Sequence, residues 1–393
     1  MPFLLHEFAN PSSPHSAGAR ANGAIEVARE KVADAMGCVP AELAFTSGAT
    51  ESNNLALMGS AEANTSRRRK IVTTAIEHKS ILRPCERLVQ RGYKVALCPV
   101  RSDGQIDLGA LADLLDEETF IVSVQAANNE IGTLQPILEV AQLARRVGAI
   151  IHCDAAQAFG KISLDVDNLD LVSLSAHKCY GPKGVGALFV RGGIRSTAVA
   201  PICSGGGQEG DLRSGTPNVP GIVGFGEAAR LAMAEMASDT LRVSRLRDRL
   251  EEVLCSELPG VRRNGALARR LPGLSSLTVR SVDAEAIIGN APELALSSSS
   301  ACNSGAPEPS HVLQALGLSR ADAYSTIRIG VGRFNSQWEI DCAADRIAEI
   351  VHRLRERSSL KSSSPGETMS EVRVRREDEQ PIVVSSPRAA QVE

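Results

Sequence analysis

The chain has 393 residues, of which 43% are hydrophobic, so it is long enough to bury a large core. Its 43 Lys and Arg against 46 Asp and Glu give a formal net charge of -3, which excludes a bulk electrostatic attraction to nucleic acid or anionic lipid. Apolar runs stay shorter than the roughly 18 residues of a membrane span, and the first residues lack a signal-peptide pattern. We therefore expect a cytoplasmic protein whose partner is a small molecule, with no membrane and no direct nucleic-acid partner.

The first predicted elements are strands that alternate with helices between residues 42 and 190. The short β-rich runs are LAFTS, KIVTT, KVALCPV, FIVSVQ, AIIHCD, LVSLS and GALFV. Between two of them, ILEVAQLARRVGA places apolar residues at helical spacing. The alternation predicts an α/β fold, with a mostly parallel sheet covered by helices on both faces.

Two further regions follow this sheet. A long amphipathic stretch that begins near residue 240 predicts a helix joining a large domain, residues 1–240, to a smaller α+β domain, residues 241–357. Residues 358–393 mix Ser, Pro and both charge signs without a sustained apolar period. That composition predicts a disordered tail.

Polar residues follow five of the runs, at the edge where open α/β sheets bind their ligands. After LAFTS, Gly48, Ala49 and Thr50 open a helix whose free N–H groups can hold a phosphate. The other four runs are followed, in chain order, by His78, by Asn128 and Asn129, by Asp154 and Gln157, and by His177 and Lys178. Each residue alone fits ordinary capping or turn chemistry. Together they predict a ligand site at one edge of the sheet.

Lys178 stands where a buried run meets a Gly/Pro turn, and Asp154 ends the run before it. A lysine that is partly desolvated beside a phosphate cradle and a carboxylate can form a Schiff base with pyridoxal 5'-phosphate. Asp154 would then pair with the pyridinium nitrogen. The remaining expected contacts are His78 stacked on the ring, Gln157 and Asn129 on the phenolic oxygen or the substrate, and Ser175 with His177 on the phosphate. The alternative is a solvated loop lysine.

Eight motifs occur in the order and approximate spacing of the cysteine desulfurases, within the class V aminotransferases. They are FTSGATESNN, EHKSIL, NNEIGT, HCDAAQAFGK, AHKCYGPKGVGAL, GGGQEGDLRSGTPNVPGIVG, SSSSACNSG and STIRIGVGRF. The chain resembles this family from residue 9 to about residue 355. The resemblance implies a fold-type I pyridoxal-phosphate transferase that acts as a homodimer. Such an enzyme takes sulfur from L-cysteine, releases L-alanine and passes the sulfur, as a persulfide, to an acceptor protein.

The resemblance also assigns roles to individual residues. It makes Lys178 the Schiff-base lysine, Asp154 the pyridinium partner and Cys302 the persulfide cysteine. It places the cofactor phosphate against Ala49, Thr50, Ser175 and His177, and the phenolic oxygen against Gln157. It places His78 on the ring face, where His78 also relays protons. The substrate carboxylate would be bound by Asn129 and Arg328, and the phosphate of the other subunit by Thr216.

The nine cysteines are irregularly spaced and form no CxxC pair, which argues against disulfides and structural zinc, so no metal is expected. Cys302 lies in a stretch rich in Ser and Gly, SSSSACNSGAPEPS, which is typical of a flexible loop. This segment resembles the long-loop branch of the family, whose cysteine travels to partner proteins. Cys38, Cys98 and Cys153 lie in or beside apolar runs, and we expect them to be structural, as we do Cys179.

The resemblance has two gaps. Family members begin with a strand and a segment of the type LDNAATTP, whereas this chain starts within what would be the first helix; we expect either an upstream extension that raises activity or an impaired form. The charged tail is a second departure. Two alternatives stay open at this stage: another class V aminotransferase or lyase, and an N-terminally truncated, weakly active sulfur-delivery subunit. The acceptor is open among iron-sulfur scaffolds, tRNA thiolation enzymes and DNA phosphorothioation systems.

Overall fold

The computed structural model describes residues 2–196, 198–298 and 308–362. Residues 1–355 form one compact unit, and residues 356–393 are a separate unit. The predicted tail lies mostly outside the described residues, so its disorder stays a prediction.

Eleven strands are present in the described ranges, in two sheets. They are β1 (Leu43–Thr46), β2 (Lys70–Thr74), β3 (Lys94–Cys98), β4 (Thr119–Gln125), β5 (Ile150–Asp154), β6 (Leu171–Ser175), β7 (Gly186–Val190), β8 (Val261–Arg263), β9 (Leu274–Val279), β10 (Ser297–Ser298) and β11 (Thr326–Gly330).

The larger sheet has seven strands in the order β1-β7-β6-β5-β4-β2-β3. Strands β2 to β6 pair in parallel, and β7 runs antiparallel to both of its neighbours. Every residue of β4, β6 and β7 is buried, because helices cover both faces of the sheet. The predicted α/β fold with a mostly parallel sheet is confirmed. The reversed direction of β7 is a feature that its apolar run GALFV did not reveal.

The helices that cover the sheets are described next. They are α1 (Pro2–Leu5), α2 (Ser16–Met36), α3 (Ala49–Asn54), α4 (Ser60–Ala63), α5 (Lys79–Val89), α6 (Leu108–Leu114), α7 (Ile137–Arg146), α8 (Val219–Glu257), α9 (Ala284–Gly289), α10 (His311–Ala315), α11 (Arg320–Tyr324) and α12 (Gln337–Ser362). A π-helical turn, Leu55–Gly59, joins α3 to α4. Among the described helices, none combines the length and the apolarity that crossing a lipid bilayer requires.

The smaller sheet is antiparallel, in the order β10-β11-β9-β8. Its core includes Leu250, Leu277, Ile327 and Ile347, and these residues belong to a cluster distinct from the core of the seven-stranded sheet. Helix α8 runs without a break from one core to the other, through residue 240. The domain boundary at residue 240 stays a prediction.

Candidate active site

A cavity of about 540 Å³ lies at the carboxyl ends of β1, β4, β5 and β6. Its lining brings together ten of the residues singled out from the sequence: Ala49, Thr50, His78, Asn129, Asp154, Gln157, Ser175, His177, Lys178 and Arg328. The structure therefore places the predicted polar groups around one space, as the strand order requires. The chemical role of each remains a prediction.

The predicted phosphate end of this cavity lies where β1 leads into α3. Gly48 caps α3 with a φ of 147°. A Cβ on Gly186, at the start of β7, would lie 2.3 Å from the carbonyl oxygen of Leu174 and 2.7 Å from the Cα of Gly48. Glycine at position 186 is thus what lets the loop before α3 pass over β7. The backbone N–H groups of the first turn of α3 are free of helical bonds and face the cavity lined by Ala49 and Thr50.

Ser175 and His177 complete this end of the cavity. Ser175 is the last residue of β6, and its Oγ lies 2.9 Å from Nδ1 of His177. Burial, followed by the positive charges of Lys178 and Lys183, lowers the pKa of His177. The site therefore offers a hydroxyl, an imidazole and helix N–H groups, which is a donor set suited to a phosphate.

Asp154 lines the same cavity and is the last residue of β5. Its Oδ1 accepts a hydrogen bond from the backbone N–H of Ala156 at 2.9 Å, and its Oδ2 accepts one from Nδ2 of Asn53 at 2.7 Å. Burial raises the pKa of Asp154, while these donors and the nearby charges of His78 and Lys178 oppose that shift. Its hydrogen bonds in the described part of the chain come from neutral donors, so its charge is available to a cationic group in the cavity.

Lys178 lies in a 3-10 turn, Ala176–Cys179, directly after β6. The turn is closed by Tyr180, which adopts a left-handed conformation with a φ of 66°. Burial, followed by the charge of Arg328, lowers the pKa of Lys178, and Asp154 opposes the shift. Because a lowered pKa increases the fraction of free amine, the lysine is suited to nucleophilic attack on a carbonyl.

A second cavity of about 390 Å³ adjoins the first and shares five lining residues with it. These are Asn129, Gln157, His177, Lys178 and Arg328. Arg328 lies on β11 of the smaller sheet, and its Nη1 donates a hydrogen bond to the carbonyl oxygen of Asn129 at 3.1 Å. Both sheets therefore contribute to the space beside the lysine, and a guanidinium stands ready there for an anionic substrate.

Among the described residues, two that were singled out from the sequence, Asn128 and Thr216, line neither cavity. Asn128 is buried, and its Nδ2 donates to the carbonyl oxygen of Ile76 at 3.0 Å. Thr216 is exposed and lines neither cavity, so its predicted role toward another subunit stays a prediction. Cys302 lies outside the described residues.

Comparisons with known proteins agree with this geometry. A family model described as aminotransferase class-V matches residues 1–342. A cysteine desulfurase IscS of Anaeromyxobacter sp. (strain Fw109-5) is 45% identical over 363 residues, which cover 92% of this chain and 90% of that protein. The mitochondrial cysteine desulfurase of Drosophila melanogaster is 46% identical, over 92% of this chain and 78% of its own length. The chain belongs to the cysteine desulfurase family of class V aminotransferases.

A solved structure of a NifS-like protein supports the same assignment. It superimposes with a TM-score of 0.83 at 37% identity, over 90% of this chain and 94% of that chain. The fold class predicted from sequence for a cysteine desulfurase is therefore confirmed, as is the family itself.

The donor set of the cavity fits pyridoxal phosphate, the cofactor of this family. An amine with a lowered pKa, Lys178, and a buried carboxylate, Asp154, line the same space as the N-terminal turn of α3. These three features match the aldehyde, the pyridine nitrogen and the phosphate of that molecule. Gln157 also lines the cavity, and its side-chain amide is a hydrogen-bond donor of the kind that the predicted contact to the phenolic oxygen requires.

Sequence reasoning missed four polar residues of this cysteine desulfurase site: Asn53, Glu77, Ser80 and Lys161. Asn53 could have been found from helical spacing, because it stands four positions after Ala49 and so on the same face of α3. Ser80 follows His78 by two positions, the distance at which a helix-capping side chain meets the backbone. The sequence carries no comparable signal for the other two.

Glu77 is fully buried beside the cavity. Both of its carboxylate oxygens accept from the backbone N–H of Gln125 at 3.1 Å, and Thr74 Oγ1 donates to Oε1 at 2.7 Å. Burial raises the pKa of Glu77 to about 8. Lys161 lies 3.4 Å from Gln157, measured between Nζ and Oε1, and burial together with the charge of Lys178 lowers its pKa to about 8. The desulfurase site thus holds two more groups that titrate near neutral pH.

The cysteines of the described residues are free thiols. Burial raises the pKa to about 12 for Cys38, Cys85 and Cys98 and to about 11 for Cys179, and it also raises the pKa of Cys153. Cys203 and Cys342 are exposed. The expectation that Cys38, Cys98, Cys153 and Cys179 are structural agrees with these shifts, because a thiol held protonated is a poor nucleophile.

Proposed function

We propose that this chain converts L-cysteine to L-alanine and keeps the released sulfur as a persulfide on Cys302, with pyridoxal phosphate held by Lys178. The net reaction joins L-cysteine and the Cys302 thiol and yields L-alanine and the Cys302 persulfide. The Cβ–S bond of the substrate breaks as a sulfur–sulfur bond forms. The observation that carries the proposal is that Lys178 and Asp154 line one cavity without a charged residue paired to that carboxylate in the described chain.

The residues of the cavity have distinct tasks in this reaction. When bound, pyridoxal phosphate supplies an electron sink that acidifies the α-proton of an amino acid joined to it. The free amine of Lys178 is the base for that proton, because its lowered pKa leaves it partly unprotonated. Asp154 holds a positive charge in the cavity, and Ala49, Thr50, Ser175 and His177 hold the phosphate.

The substrate itself is held from the side of the smaller sheet. Arg328 borders both cavities, and the carbonyl of Asn129 accepts from one of its nitrogens, which leaves the rest of the guanidinium for a carboxylate. This arrangement orients the α-carbon of L-cysteine toward Lys178. The site is specific for an α-amino acid because the Arg328 cation binds the substrate carboxylate and the cofactor held by Lys178 accepts the substrate amine.

The wider setting of the enzyme belongs to the same proposal. The family resemblance supports a homodimer in which Thr216 reaches the phosphate of the other subunit, and the start of the sequence, which has no signal-peptide pattern, supports a cytoplasmic location. The exposure of Thr216 on the single chain is compatible with this role. The persulfide is then passed to an acceptor protein, and iron-sulfur cluster assembly, tRNA thiolation and DNA phosphorothioation are the candidate destinations.

The test is the reaction of purified protein with L-cysteine. Alanine is quantified by chromatography, the visible absorption spectrum is recorded before and after addition, and protein-bound persulfide is located by mass spectrometry after alkylation. We expect a spectral change, stoichiometric alanine in the first turnover and a persulfide on Cys302. Cys302→Ser should retain the spectral change and form neither persulfide nor alanine, whereas Cys342→Ser, which changes an exposed thiol on α12, should behave as the wild type.

Other outcomes would overturn the proposal in different ways. Full turnover of Cys302→Ser would favour another aminotransferase or lyase of this fold. A well-folded protein that takes up no pyridoxal phosphate would favour a non-catalytic sulfur-delivery subunit.

A further inference from the structure

A chain of four hydrogen-bonded side chains connects His78 to Asp154, two residues that line the cavity. Nδ1 of His78 lies 2.7 Å from Oγ of Ser80, and Nδ2 of Asn53 donates to that same Oγ at 2.8 Å. Nδ2 of Asn53 also donates to Oδ2 of Asp154 at 2.7 Å. Asn53 and Ser80 are buried, so these contacts are shielded from solvent.

The direction of each hydrogen bond can be derived from a backbone group. His78 is the N-cap of α5, and its Nδ1 accepts from the backbone N–H of Ser80 at 3.1 Å. A backbone N–H can only donate, so Nδ1 carries a lone pair and no proton. The hydroxyl of Ser80 must therefore donate to Nδ1 as well, and its oxygen is free to accept from Asn53.

The amide of Asn53 is fixed by the opposite end of the chain. A carboxylate only accepts, so the group facing Asp154 must be the NH2 of Asn53. Its two N–H bonds are then used by Ser80 and Asp154. Oδ1 of Asn53 is buried and without a hydrogen-bond partner among the described residues, which shows that the amide is oriented by its two acceptors.

From this geometry we propose that Asn53 and Ser80 are positioning residues that hold His78 as a neutral imidazole, with its proton on Nε2. The direction of every bond, from Asp154 through Asn53 and Ser80 to Nδ1, is consistent with this one tautomer. In the cavity His78 is consequently a proton donor through Nε2 and not a base. The proposal relies on the proposed function only for the identity of the molecule that the cavity holds.

The surroundings of His78 favour the same neutral state. The N-terminus of α5 disfavours a cation at its cap. The titratable groups that face the ring from the neighbouring elements are Asp154 on β5, Lys178 after β6, His311 on α10, Lys79 on α5 and the adjoining Glu77. Burial and the positive charges of Lys178, His311 and Lys79 lower the pKa of His78, and the negative charge of Asp154 raises it.

Nitrogen NMR of the full-length protein tests the tautomer directly. The purified protein, labelled with 15N at its seven histidines, is measured from pH 6 to pH 8, and His78→Gln identifies the His78 signals. We expect a proton on Nε2 and a bare Nδ1 at every pH in that range. A proton on Nδ1, or a ring protonated on both nitrogens at pH 7, would overturn the proposal.

Substitutions test the two positioning residues. Asn53→Ala and Ser80→Ala should produce mixed tautomers of His78 and reduce alanine formation by about tenfold, the effect of losing one hydrogen bond to a catalytic group. Ser80→Thr keeps a hydroxyl and should restore the single tautomer. Asn54→Ala is the matched control, because Asn54 is the next residue of α3 and, within the described part of the chain, its Nδ2 donates to the carbonyl of Thr50 and not to the His78 network.

The outcomes separate this inference from the proposed function. If Asn53→Ala unfolds, Ser80→Ala and Ser80→Thr still test whether this hydrogen-bond chain fixes the tautomer of His78. An unchanged His78 spectrum in both Asn53→Ala and Ser80→Ala would refute the positioning role, whatever the activity. An inactive wild type with the expected tautomer would refute the proposed function and leave the hydrogen-bond chain intact.

Discussion

Two buried carboxylates of this protein have opposite surroundings. Glu251, on α8 beside the smaller sheet, has a side chain 1% exposed; Arg270 donates to both of its oxygens, at 2.7 and 2.9 Å, and Arg263 lies 2.9 Å away. Asp154, 6% exposed at the end of β5, receives hydrogen bonds from an asparagine amide and a backbone N–H. The first charge is neutralised within the fold, and the second is not.

The basic residues differ in the same way. Arg270 is paired with Glu251 and Asp248, whereas Arg328 donates to a backbone carbonyl, that of Asn129, and forms no ion pair within the described residues. A buried charge that is left with neutral partners is costly unless a ligand of opposite charge completes it. The comparison therefore separates charges that stabilise the fold from charges that are kept for a ligand.

The largest effect is expected when the unpaired carboxylate loses its charge. Asp154→Asn should lower alanine formation about 10²–10³-fold, because a preorganised charge that stabilises the reacting cofactor is removed. Its melting temperature should change little, since no ion pair is broken. Alanine assays and circular dichroism measure the two quantities, and Asp165→Asn on an exposed turn is the control. A fall in stability with normal turnover would reverse our reading of Asp154.

Glu251→Gln should produce the complementary result. Removing this charge leaves the buried Arg270 with Asp248 alone and deprives the half-buried Arg263 of its carboxylate, and we expect a loss of about 3 kcal/mol in the free energy of unfolding. The turnover of the protein that remains folded should match the wild type. Urea unfolding gives the stability, and the exposed neighbour Glu252→Gln is the control. Equal midpoints for both variants would show that the cluster is not structural.

Arg328→Lys tests the unpaired guanidinium. Lysine keeps the charge and loses the planar pair of donors, so we expect KM for L-cysteine to rise about tenfold or more, with a smaller change in kcat. The exposed Arg320→Lys on α11 should leave both constants unchanged. A lowered kcat at constant KM would instead place Arg328 in the chemical step.

The smallest effect concerns Glu77, the second buried carboxyl with neutral partners. Its pKa of about 8 lies above the usual value of a glutamate, so the folded state binds the extra proton and stability should fall as the pH rises from about 5 to about 8. Glu77→Gln should flatten this slope, which is measured as the melting temperature at pH values across the window. The exposed Glu118→Gln should keep the wild-type slope. An unchanged dependence of stability on pH in Glu77→Gln would contradict the assignment of this pH dependence to Glu77.

The part of the site that follows strand ends was predictable from sequence. Apolar runs end abruptly at Asp154 and at Ser175, and the carboxyl ends of parallel strands share one edge, so the runs alone indicated a common cavity. Glu77 could not be recognised, because an acidic residue beside a histidine in a loop gives no sign of burial. Its environment depends on Gln125, which is distant in the chain.

The small-sheet side of the site could not be predicted from local patterns either. Arg328 and Glu251 are charged residues within or beside strands, and the sequence alone does not tell which of them finds a partner. The family resemblance supplied the role of Arg328. The pairing of Glu251 with Arg263 and Arg270 depends on how α8 packs against β8 and β9.

The raised pKa values of the buried cysteines have a consequence for the transport of sulfur. Exchange of a persulfide requires an attacking thiolate, and Cys85, Cys98, Cys153 and Cys179 are held in the protonated form by burial. Sulfane sulfur on this chain consequently has no inward route through these four thiols. The buried thiols therefore do not take up the sulfur. Thiols that reach the surface, including those of another protein, are the ones that compete for it.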